Sequence, residues 1–103
     1  MVDILIRIKR AVLAGRYAFS EKARIEMEID GISDMDVAES ILNAVAIYKT
    51  IRSRNPYDHS KREYLYIIQS TNLEGLPIYS KGKLMNRNGK DIFYFLISSK
   101  RAL

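Results

Sequence analysis

Apolar residues in the first 45 positions recur at helical intervals. In the following 55 they alternate or run together as strands do. Ile4, Leu5, Ile8, Ala11 and Val12 fall on one stripe of a helix, with Arg7 and Arg10 off it, and Gly15 is placed to end that helix. "YAFS" is a short extended link. Ser20 is the N-cap of a second helix that turns Ala23 and Met27 inward and ends near Asp30-Gly31. A third helix opens at Ser33, with Asp36 three residues on as a capping-box variant and Ile32 and Val37 at the staple positions. Asp34 and Asp36 suit the positive end of its dipole, and Val37, Ile41, Leu42 and Val45 form the predicted buried stripe.

From residue 46 the period changes to two. "AIYKTIRS" is β-branched and alternating, "NPYDHSK" has turn chemistry with Pro56 holding Asn55 extended, and "EYLYIIQS" is a strong strand. "TNLEG" is a turn before the strand "LPIYSKGKLM". Asn88-Gly89 marks a type I′ hairpin leading into "DIFYFLISS", an apolar run suited to a central strand. Helices followed by an antiparallel meander of about four strands predict one α+β domain over residues 1–103. In it, a helical layer covers one sheet face and leaves the other open.

Alternation along those strands sorts the side chains. Tyr79, Lys81 and Lys83 share a face that cannot be core, because an unpaired lysine is very costly to bury. Lys49 shares a face with Ile47 and Ile51, and Arg52 and Arg54 lie on the other. In the last strand Phe93, Phe95 and Ile97 form one set; Tyr94, Leu96 and Ser98 form the other, with Lys100 at its end. Either set can be the core face.

Charge sharpens the picture. Residues 1–48 carry six Lys/Arg against eight Asp/Glu, whereas residues 49–103 carry eleven against four, so the net +5 is a sheet half of +7 joined to a helical half of −2. A basic half points to a polyanion partner. Five of the seven tyrosines lie in that half (Tyr57, Tyr64, Tyr66, Tyr79 and Tyr94) and Tyr48 stands at its border, and tyrosine interleaved with Lys/Arg suits single-stranded RNA. With no cysteine and only His59, in the expected turn, no metal-ligand spacing exists, and neither a two-histidine ribonuclease nor a serine triad can be assembled. No cofactor or metal is expected. No apolar run is long enough for a membrane span, and the expected compartment is the cytoplasm. Metal-free RNA cleavage remains open. It needs a base for the 2′-hydroxyl, an acid for the leaving 5′-oxygen and cations for the phosphorane, and Lys49, Tyr79, Lys81 and Lys100 are residues of the right types. Arg52, Arg54, Lys83, Arg87, Lys90 and Arg101 are the candidate RNA-backbone contacts.

The segments "IRIKRAVLAG", "SDMDVAESILNAVAIYKTI", "LPIYSKGKL" and "FYFLISSKRAL", in that order, resemble the MqsR-like branch of the RelE/ParE toxin superfamily. "FSEKARIEMEIDGISDMDV" resembles a related toxin-like domain, with Lys22 where that pattern has histidine. The resemblance implies a RelE-like α+β fold and a bacterial toxin–antitoxin endoribonuclease, with mRNA, free or on the ribosome, as substrate and a cognate antitoxin as partner. It matches Lys49 to the lysine of Tyr-Lys, Tyr79 and Lys81 to Tyr-x-Lys, and Lys100 to Ser-x-Lys. The family's glutamine on the second sheet strand has no assigned counterpart, with Glu63 and Gln69 nearest. The alternatives are a non-catalytic RNA- or ribosome-binding module and an inactive toxin-like protein-interaction domain.

Overall fold

The computed structural model describes residues 3–55 and 58–103, and between residues 53 and 62 only the backbone of the strands. Its elements in chain order are α1 (Ile4–Leu13), β1 (Tyr17–Phe19), α2 (Glu21–Asp30), α3 (Asp34–Asn43), β2 (Lys49–Asn55), β3 (Asp58–Thr71), β4 (Pro77–Arg87) and β5 (Lys90–Arg101). The fold is α+β, with a five-stranded mixed sheet in the order β1-β5-β4-β3-β2. The expected meander is present as β2 to β5. The fifth strand is the "YAF" link, which pairs parallel to β5 with Tyr17 opposite Tyr94. No helix among the described residues is long and apolar enough to cross a membrane.

The helix starts follow their sequence signals. Asp3, Ser20 and Ser33 each accept a bond from an amide of the first turn, and Ser33 and Asp36 close a reciprocal capping box. Ile8, Ala11 and Val12 of α1, Ala23 and Met27 of α2, and Ile32 and Val37 beside the α3 cap are all buried. The α3 stripe differs from expectation. The helix ends at Asn43, so Val45 lies beyond it and is almost fully exposed; Leu42 is also exposed, and Ala38, Ile41 and Ala44 fill the core beside Val37. The turn before β3 is shorter than expected, because Asp58 to Lys61 already have strand backbone. The expectation for Pro56 lies outside the described residues, as do the side chains of His59, Lys61 and Arg62. Asn88 and Gly89 both have positive φ, 53° and 79°, as a type I′ turn requires.

The helices cover one face of the sheet, where Tyr66, Ile68, Ile78, Tyr94 and Leu96 form the sheet side of the core. Of the two sets open in β5, Tyr94 and Leu96 therefore form the core face. Tyr94 is fully buried, and burial pushes its phenol pKa up. Its ring lies over Gly82, where an added Cβ would stand 2.7 Å from Tyr94 Cζ and 2.8 Å from the Phe95 carbonyl oxygen. The Tyr94 hydroxyl donates a long bond, 3.5 Å, to the Tyr66 carbonyl. One side chain of β5 thus reaches across β4 to β3.

α1 is tied to the last hairpin by a bidentate pair. Arg7 Nε donates to Asp91 Oδ2 at 2.8 Å and Nη2 to Oδ1 at 2.7 Å, while Asn86 Nδ2 donates to Oδ1 at 3.2 Å. α3 is tied to the β3–β4 turn through Asn72, whose amide donates to Asp36 Oδ1 at 3.1 Å. Its carbonyl oxygen accepts from the backbone amides of Glu74 and Leu76.

Gly82→Ala is expected to lower unfolding stability by about 1–3 kcal/mol, as overpacking of a filled core does, measured by denaturant titration. A second expectation concerns acid. Hydrogen bonding to Arg7 holds the Asp91 carboxyl below its ordinary value, and the Ser33 backbone amide does the same for Asp36. A carboxyl lowered in the folded state adds stability that is present above its unfolded value and lost as pH falls through the folded one. The denaturant midpoint should therefore fall between about pH 5 and pH 2, and fall less steeply in Asp91→Asn.

Candidate functional site on the open sheet face

The uncovered face is read most directly from strand register. Cross-strand partners share a face. Lys49 of β2 pairs with Ile67 of β3, and Ile67 pairs with Lys81 of β4. One residue pair along, Gln69 of β3 faces Tyr79 of β4, and Tyr79 faces Lys100 of β5. Four strands therefore contribute Lys49, Gln69, Tyr79, Lys81 and Lys100 to the same patch. With strands about 4.8 Å apart, the Cα atoms of Lys49 and Lys81 are separated by about 10 Å. The Lys100 ammonium lies 5.3 Å from the centre of the Tyr79 ring, a cation–π contact. Gln69, Tyr79, Lys100 and Arg101 line a cleft of about 810 Å³ with Asp30, Ala102 and Leu103. Among the described residues, none of Lys49, Lys81 and Lys100 belongs to an ion pair.

Simple alternation along β5 groups Lys100 with Tyr94 and Leu96, on the core face. A β-bulge moves it. Gly82 faces Leu96, but the next β4 residue, Lys81, faces Ser98, so Ile97 is the extra residue. Past the bulge, Ser99 faces Ser80 and both are buried on the helix side, while Lys100 faces Tyr79 on the open side. The bulge is held from α2. Glu26 Oε1 accepts from the Ser98 hydroxyl at 2.8 Å and from the Ser99 amide at 3.2 Å. One turn later Asp30 Oδ2 accepts from the Arg101 amide at 2.9 Å. β1 pairs with β5 only as far as Leu96, so these two carboxylates satisfy edge amides that no strand reaches.

The sequence-predicted catalytic residues Lys49, Tyr79, Lys81 and Lys100 thus share one face. The predicted RNA contacts are more dispersed. Lys83 lies on the same face and pairs with Glu63 at 3.6 Å. Arg101 borders the cleft. Arg87 and Lys90 flank the hairpin turn, about 20 Å along β4 from Lys81 at strand rise. Arg52 pairs with Tyr64, on the face opposite Lys49, and the Arg54 side chain lies outside the described residues. The expectation of interleaved tyrosines narrows to Tyr79. Tyr66 and Tyr94 are core residues, Tyr48 and Tyr64 are exposed but outside the patch, and Tyr57 lies outside the described residues. Two residues are added. Gln69 is fixed opposite Tyr79, whereas Glu63 is engaged with Lys83, so Gln69 is the glutamine beside the patch. Glu26 had no signal in sequence beyond its helical spacing from Asp30.

No family model, curated protein or solved structure matches the chain.

Glu26→Ala removes an ionised acceptor shared by two donors and is expected to destabilise the protein by about 1.5–3 kcal/mol. Amide exchange should speed up at Ser99 while the α3 amides remain protected, measured by hydrogen exchange read by NMR. Lys49→Ala and Lys100→Ala, at exposed positions, should change stability by no more than about 0.5 kcal/mol.

Proposed function

We propose that this chain is the toxin component of a bacterial toxin–antitoxin pair, of RelE-like fold, and that it cleaves mRNA without a metal ion. The observation that carries this reading is the gathering of Lys49, Lys81, Lys100 and Tyr79 on the sheet face that the helices leave open. Gln69, on β3 between them, supports it further, since the resemblance calls for a glutamine on that strand.

In the proposed reaction the 2′-oxygen of one nucleotide attacks the adjacent phosphorus. The bond to the 5′-oxygen breaks, leaving a 2′,3′-cyclic phosphate and a 5′-hydroxyl. The attacking and leaving oxygens lie on opposite sides of phosphorus, so the two proton-transfer groups should flank it. Lys49 and Lys100 stand at opposite sides of the patch and suit those roles. Lys81, between them, suits neutralisation of the phosphorane, and Tyr79 and Gln69 suit orientation of the phosphate and its base. The cytoplasmic location and the cognate antitoxin belong to the same proposal.

Induced expression should arrest bacterial growth, and purified protein should cut single-stranded RNA in EDTA with a 2′,3′-cyclic phosphate product. Lys49→Ala and Lys100→Ala should each lower the cleavage rate by about 10²–10⁴-fold, the usual contribution of a proton-transfer group, and relieve the arrest. Salt-sensitive RNA binding without a cyclic phosphate product would identify a binding module instead. RNA binding no tighter than that of other basic proteins, together with no arrest, would leave a protein-interaction domain.

A further inference from the structure

The sheet forks. β3 and β4 are paired from Thr71–Pro77 to Tyr66–Gly82, and there the ladder between them ends. Both strands continue. β3 remains paired with β2 through Leu65, Tyr64 and Glu63, and β4 remains paired with β5 through Lys83 to Arg87. Among the described residues, two strand edges therefore face each other without joining. The space between them is a cleft of about 480 Å³, lined from β3 by Glu63, Tyr64 and Tyr66 and from β4 by Lys83, Leu84, Met85 and Asn86. Ile4 and Arg7 of α1 line it on the helix side. This volume is within the range of ligand-binding clefts, about 300–1,000 Å³.

We propose that this fork is a docking site for an extended polypeptide segment that adds a strand between β3 and β4. The inference does not rest on the ribonuclease reading, because the fork lies apart from Tyr79 and Lys100. An unpaired strand edge offers amide donors and carbonyl acceptors in alternation, and only another backbone matches both. A nucleic acid backbone supplies phosphate acceptors, which the edge carbonyls repel.

The two sides of the fork fix the pattern of the inserted strand. On the helix side are Ile4, Tyr66 and Leu84, and the Arg7 guanidinium there is already neutralised by Asp91 at 2.7 Å. Side chains pointing that way should be apolar. On the open side Lys83 is paired with Glu63 at 3.6 Å, and Met85 shares its face, with Phe95 and Phe93 of β5 across from the two. Side chains pointing that way should be acidic at the one position beside Lys83, replacing Glu63 as its partner, and apolar beside Met85 and the two rings. The occupant is therefore an extended, largely apolar segment of another protein that carries one acidic residue at the position of Lys83.

The test uses the full chain, labelled with ¹⁵N, and a synthetic ten-residue Val-rich peptide with one central Asp and a Lys at each end for solubility. At saturating peptide, amide exchange in Lys83–Arg87 and Glu63–Leu65 should slow at least about tenfold at alternate positions, as ladder formation protects amides. A peptide of the same sequence, N-methylated at alternate backbone nitrogens, should not protect them. Lys83→Glu should weaken binding about tenfold through charge reversal. The proposal is overturned if exchange at the fork is unchanged, or if the N-methylated peptide binds as well as its parent. It is also overturned if a single-stranded oligouridine protects the same amides, which would assign the fork to RNA.

Discussion

One unmatched residue in β5 decides what the open face can do. Ile97 has no partner on β4, and this offset turns Lys100 away from the core and sets it across from Tyr79. Without the bulge, alternation would direct Lys100 beneath the helices, where an unpaired ammonium is not tolerated. The offset is maintained from both sides. Glu26 holds the Ser98 hydroxyl and the Ser99 amide. Tyr94, packed over Gly82, fixes the register on the other side of the extra residue. α2 therefore does more than cover the core, since its carboxylates finish the edge of β5 and set the direction of a lysine on the opposite face.

The same few residues separate the regions of the sheet. At Gly82 the Tyr94 ring fills the space a Cβ would take, and the hydroxyl of that ring reaches the Tyr66 carbonyl. On one side of this point the sheet is continuous and carries the lysine patch. On the other it divides into two hairpins with a cleft between them. The proposed catalytic patch and the proposed docking fork thus occupy one small sheet and adjoin at Lys83, while the Arg7–Asp91 pair anchors the second hairpin to α1.

Local chemistry was legible in the sequence wherever it is set by neighbours in the chain. The caps at Ser20 and Ser33, the Asn88-Gly89 turn and the row of Tyr79, Lys81 and Lys83 all follow from spacing alone. What escaped depends on partners far away in sequence. "YAF" is too short to read as a strand, and it is one only because β5 lies beside it. Val45 has the right hydrophobicity for the α3 stripe, but Asn43 ends the helix before it. The direction of Lys100 depends on a bulge that no two-residue period can express, and the place of Gln69 depends on register between strands. Tyr66 and Tyr94 resembled base-stacking residues by composition, yet their rings fill the core.

The central claim is that lysines from three strands act as one anion site. It is tested most directly by reductive ¹³C-methylation of the lysines and NMR titration with a single-stranded oligonucleotide whose 2′-hydroxyls are replaced by hydrogen, so that no cleavage occurs. The methyl signals of Lys49, Lys81 and Lys100 should move together, along one binding curve, while those of Lys22 and Lys90 stay in place until much higher concentration. Equal movement of all lysines, or movement of Lys90 ahead of Lys49 and Lys100, would contradict a single site on the open face.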